Sequence, residues 1–113
     1  MSARVVASAA AVALSLAFAQ GVAAGGKAEA GKAKAAQVCA ACHGADGAKP
    51  SAPDQPILAG QYYDYLVKAM SDYKSGKRNN AIMKGFATSL SVQDMEDLAA
   101  WFSSQKSSLH FQR

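Results

Sequence analysis

The five residues Cys39-Ala40-Ala41-Cys42-His43 narrow what this chain can become more than any other stretch. In a helical turn, positions i and i+3 share a face, so the two thiols stand side by side. His43 follows at once, and the intervening alanines add neither bulk nor charge that would keep a large flat group away. The fold must therefore set this face against something that uses two sulfurs and one imidazole together.

Three chemistries use such a pattern. A thioredoxin-like thiol pair needs a βαβ setting, and no run in the chain alternates as a strand would. A structural zinc site needs a fourth ligand, yet no second Cys pair exists and the other histidine, His110, lies near the end. A disulfide between Cys39 and Cys42 would close a loop of only four residues and constrain the unfolded chain little. The remaining use is covalent c-type haem attachment, with both sulfurs bonded to porphyrin vinyl groups and the imidazole on iron. Haem also answers a problem of size. A domain this small buries only about 60 to 65% of its unfolded surface, and a covalently held apolar group is an effective staple.

The first 24 residues read as a cleaved secretory signal. Arg4 supplies the positive start, Val5 to Ala19 the apolar run, and Val22-Ala23-Ala24 the small-residue cleavage site. That run has 15 residues, short of the ~20 that span a bilayer as a helix. The expectation is one domain over residues 25–113, periplasmic, with no stable membrane insertion after cleavage. The chain has 12 Lys+Arg against 8 Asp+Glu; losing Arg4 and no acid leaves 11 against 8, a surplus of three. The lysines are scattered and no aromatic-interleaved basic patch appears, so no nucleic-acid partner is expected.

Alanine dominates Lys27 to Cys42, which predicts a helix there, with Gly31 and Ala35 sharing one face. Gly44 to Gly60 holds Pro50, Pro53 and Pro56 and predicts an irregular loop packed on the cofactor. Tyr62, Leu66, Ala69, Met70 and Tyr73 form an apolar stripe, predicting a helix over 61–75 that Gly76 ends. A short helical piece is expected over 83–89. Ser91 with Asp94 forms a capping-box-like start to a last helix reaching about Gln105. From about residue 107 the chain reads as a loose tail. The domain is all-α.

One histidine on haem iron leaves a sixth position, and a thioether there raises the potential, which suits electron transfer. Met70 and Met95 lie on apolar helix stripes and read as core methionines. Met83, in the irregular stretch 40 residues after His43, reads as the ligand, with tail residue His110 as its rival.

The series Cys39-Ala-Ala-Cys-His-Gly44, Pro56-Ile-Leu-Ala-Gly-Gln61, Tyr65-Leu66, Gly76-Lys-Arg78, Met83, Leu90-Ser91 and Asp97-Leu-Ala-Ala-Trp-Phe102 resembles the class I c-type cytochromes. The nearest likeness is to the small soluble bacterial single-haem branch, related to the halves of di-haem periplasmic cytochromes. It covers about residues 31–105. The resemblance implies three to five helices around one covalent haem c, with first and last helices crossing where Gly31 and Ala35 meet Leu98 and Trp101. It also implies that the Pro56 carbonyl orients the His43 ring and that Arg78 stands near a haem propionate. Trp101 departs from the tyrosine more usual there. The implied role is a single-electron carrier between redox proteins, with no catalytic residue. The alternatives are a haem relay subunit of a larger oxidoreductase and a thiol–disulfide enzyme.

Overall fold

The structure, a computed structural model, describes residues 25–109. The expected leader over residues 1–24, the rival ligand His110 and the end of the tail lie outside them. Five helices follow in order: α1 (Ala28–Val38), α2 (Ala40–His43), α3 (Tyr63–Ser75), α4 (Ala81–Ala87) and α5 (Val92–Ser103). Among the described residues there is no strand.

The first and last helices cross at close range, as expected. A Cβ added to Gly31 would stand 1.9 Å from the Asp97 carbonyl oxygen and 2.9 Å from the Trp101 Cβ. Only glycine allows this approach, which accounts for a residue otherwise unfavourable in a helix. Ala35, one turn on, is fully buried and joins Leu66, Leu90, Met95, Leu98, Ala99 and Phe102 in the core. The start of α1 lacks a local side-chain cap. Asp97 of α5 supplies one, accepting from the Lys27 backbone N–H at 2.7 Å and from Gln93 Nε2 at 2.8 Å.

The capping box of α5 forms as the sequence predicts. Ser91 Oγ accepts from the Asp94 N–H at 3.0 Å, and Asp94 Oδ2 accepts from the Ser91 N–H at 2.9 Å. Gly76 ends α3 in the left-handed region, φ 86°.

Three boundaries differ. The helix expected over 27–42 breaks at Cys39, and a new turn begins with the Cys39 carbonyl accepting from the Cys42 and His43 N–H groups. The helix expected from Gln61 starts at Tyr63, because Gln61 turns its side-chain oxygen onto the Tyr62 N–H at 2.8 Å and Tyr62 is extended. Met83, expected in an irregular stretch with helix only from there to 89, lies inside α4. Asn80 caps that helix, its side chain accepting from the Met83 N–H at 3.0 Å.

The loop between α2 and α3 is tied down at several points. The Gly47 carbonyl accepts from the Leu58 and Ala59 N–H groups, and the Phe102 carbonyl accepts from the Gly60 N–H. These bonds bring Pro56 back beside α2.

Candidate functional site

A cavity of about 480 Å³ opens between α2, α3, α4 and the loop. Cys39, Cys42 and His43 line it from α2 and its leading residue, and Leu66, Ala69 and Met70 from α3. Ile82, Met83 and Phe86 line it from α4, Leu90 and Phe102 from the α5 side, and Pro56 from the loop. Size and largely apolar lining fall in the range of small-molecule and cofactor sites.

The attachment residues are placed by backbone. The four-residue α2 is closed by Cys39 carbonyl bonds of 3.2 Å from Cys42 and 3.0 Å from His43. Both thiols are half-buried and not joined to each other. Cys39 also packs on the core, and burial pushes its thiol up to about 11.

His43 is buried, and its Nδ1 lies 2.9 Å from the Pro56 carbonyl oxygen. A carbonyl can only accept, so Nδ1 donates and Nε2 is the ring nitrogen left for another partner. A histidine so oriented is prepared for a metal.

Met83 is half-buried at the same wall, delivered by α4. Met70 also reaches that wall while packing on the core, and Met95 is buried within the core. Arg78 lies at the rim. Its Nη1 donates to the Tyr65 hydroxyl at 3.1 Å, and its guanidinium stands over the Tyr73 ring at 4.9 Å from the centroid. The Tyr65 bond raises the pKa of this group against the opposing effect of burial, so its charge is permanent.

Sequence reasoning passed over Gln55, Ile82 and Phe86 at the wall. Ile82 and Phe86 are four apart in α4 and flank Met83, a spacing readable once Asn80 is seen as a cap. Both stay exposed, at 69% and 44%. The donor set of two thiols, one imidazole and one thioether suits iron in an apolar macrocycle, so the residues present fit haem.

The family model described as Cytochrome c matches residues 28–106. A protein named cytochrome c4 from Pseudomonas aeruginosa is 58% identical over 86 residues, which are 76% of this chain and 42% of that protein. Cytochrome c-554(548) from Halomonas halodenitrificans is 44% identical over 71 residues, covering 60% of this chain and 84% of that one. Among solved structures, reduced recombinant cytochrome c4 from Pseudomonas stutzeri aligns with a TM-score of 0.67 at 47% identity, over 74% of this chain and 48% of that chain. The chain thus spans about half the length of the cytochrome c4 proteins it matches. The helices are those of the cytochrome c fold. Match, fold and Cys-x-x-Cys-His pattern agree: the chain belongs to the cytochrome c family, and its cofactor is one covalently bound haem c.

Proposed function

We propose that this chain is a single-electron carrier in which Cys39 and Cys42 would anchor a haem through thioethers and His43 and Met83 would ligate its iron. One observation carries the reading. Met83 and the Cys39–His43 segment, 40 residues apart in the chain, line the same apolar cavity. When bound, haem supplies an iron that alternates between Fe(III) and Fe(II). The chain's own residues keep that exchange cheap by holding still. Pro56 fixes the His43 ring, Asn80 anchors the start of the helix that carries Met83, and the apolar lining keeps water out. A thioether ligand and burial both favour the reduced state. Arg78, steadied by Tyr65 and Tyr73, is a charge-assisted donor available to a propionate. No catalytic residue is assigned, and the role is electron transfer rather than catalysis.

The proposed setting is the periplasm, reached through a leader over residues 1–24, with redox proteins as donors and acceptors and no nucleic acid. Among the described residues no helix is long and apolar enough to cross a membrane. The deciding experiment is a reduced-minus-oxidised absorption spectrum of the exported protein with its intact mass. We expect low-spin haem c bands and the mass of residues 25–113 plus one haem. A colourless protein of unmodified mass would sink the reading.

The exposed Ile82 and Phe86 beside the cavity favour one second reading, a relay subunit docked permanently in a larger oxidoreductase. Co-purification with a flavin or metal protein supports that reading, and purification alone supports the free carrier.

A further inference from the structure

We infer that Gln55 is a positioning residue for the His43 imidazole, acting through the loop that delivers the Pro56 carbonyl. The inference rests on the reading of His43 as an axial ligand.

The geometry is a closed circuit between two neighbouring residues. The Cys42 carbonyl accepts from the Ser51 N–H at 2.9 Å, so the loop begins its return at the residue before His43. It ends at Pro56, whose carbonyl accepts from His43 Nδ1 at 2.9 Å. Between these points Gln55 Oε1 gathers three donors: Ser51 N–H at 3.0 Å, Ser51 Oγ at 2.8 Å and Ala52 N–H at 3.0 Å. The Gln55 N–H in turn donates to the Ala52 carbonyl at 3.1 Å, closing a turn with Pro53 in its second position, where a fixed φ is favourable.

One side-chain oxygen thus sets the span from Ser51 to Pro56. Prolines cannot contribute N–H bonds of their own, and Pro50, Pro53 and Pro56 leave this segment short of backbone donors. Without the Gln55 oxygen, Pro56 would be held mainly by its neighbours, and its carbonyl would wander relative to the ring. Gln55 also lines the cavity, so the turn it organises is part of the wall. Such support behind a ligand's own partner is how ring orientation and basicity are maintained.

The test uses the haem-loaded protein and three variants. Gln55→Leu keeps bulk and removes the acceptor, Gln55→Glu keeps acceptor oxygens, and Ser51→Ala removes one donor. The readout is NMR hydrogen exchange of the His43 Nδ1–H, with exchange of the Leu98 and Phe102 amides as the measure of global opening. We expect Gln55→Leu to speed ring N–H exchange roughly tenfold while the core amides are unchanged. Gln55→Glu should stay within about twofold of the parent, and Ser51→Ala should fall between. The midpoint potential of Gln55→Leu should rise, since a looser carbonyl leaves the imidazole less basic. Parent-like ring exchange in Gln55→Leu overturns the inference, as does a Gln55→Glu variant that exchanges as fast as Gln55→Leu. If Gln55→Leu does not load haem, the Ser51→Ala and Gln55→Glu rates decide by the same comparison. A parent protein whose His43 signals show no iron ligation defeats the ligand reading itself, and the two failures are distinct.

Discussion

The indole N–H of Trp101 donates to the Ala45 carbonyl at 3.0 Å, joining the last helix to the turn two residues beyond His43. Lys32 of α1 stands over the same indole, 5.5 Å from its centroid. One side chain therefore connects the α1–α5 crossing to the segment that presents the imidazole. Trp101→Phe keeps the ring and loses the donor. We expect a loss of about 1 kcal/mol in denaturant unfolding and a Tm lower by about 4–8 °C, with the absorption bands of the haem protein retained. An unchanged Tm would mean that solvent satisfies Ala45 equally well.

Gly31→Ala places a methyl group 1.9 Å from a backbone oxygen of α5. Backbone cannot rotate aside as a side-chain end can, so the helices must separate. Alanine returns about 1 kcal/mol of helix propensity, and overpacking outweighs it. The expected result is a net loss of about 2 kcal/mol, read from the urea midpoint at constant m. A variant as stable as the parent would contradict the crossing described here.

Asp97→Ala strands the Lys27 N–H at the open end of α1 and frees Gln93. A cost of about 2 kcal/mol is expected, whereas Asp97→Asn, which keeps the accepting oxygen, should lose less than about 1. Equal losses in the two variants would show that charge rather than hydrogen bonding is what Asp97 contributes.

Asp94 titrates below the usual carboxylate range, first because the Ser91 backbone N–H bonds to it, with the Ser91 hydroxyl and Lys34 adding to the effect. Its folded pKa lies beneath its unfolded value near 3.9, so the unfolded chain binds the proton more readily. The stabilisation is therefore present above about pH 4 and is lost as pH falls through the lower folded value. Asp94→Asn should flatten the fall in Tm between about pH 5 and pH 3. A parallel fall in parent and variant would remove Asp94 from the acid response.

Met83→Ala removes the thioether that the proposed site relies on. The midpoint potential should fall by on the order of 100 mV, within the ~0.8 V range that axial ligands command, and carbon monoxide should bind the reduced protein. Met70→Leu, at the same wall, is the control expected to leave both properties near the parent's. If Met70→Leu lowers the potential and Met83→Ala does not, Met70 is the ligand.

What the sequence reveals follows from how local each signal is. The Ser91–Asp94 cap and the Gly76 stop are decided within four residues, and both form as read. The break at Cys39 was not legible, because an alanine-rich run carries no breaker there and the turn is stored in how α2 packs. The short helix expected from residue 83 is there, but it starts at Ala81 because Asn80 caps it, which an Asn-Asn pair reading as a turn does not reveal. At the site, Cys39, Cys42, His43 and Met83 are candidates by type and position, and the fold brings all four to one cavity. Gln55 was illegible. Its three bonds exist only once the prolines have bent the chain, and nothing about an isolated Gln-Pro pair foretells them.

The partial burial of Cys39 has a consequence for its reactivity. Thioether formation needs a nucleophilic sulfur, and a thiol raised to about 11 is almost wholly protonated at neutral pH. In the packed molecule Cys39 is a poor nucleophile whose approach is restricted by the core beside it. Burial on the core side therefore works against Cys39 as a nucleophile in the folded chain, while its other side lines the cavity.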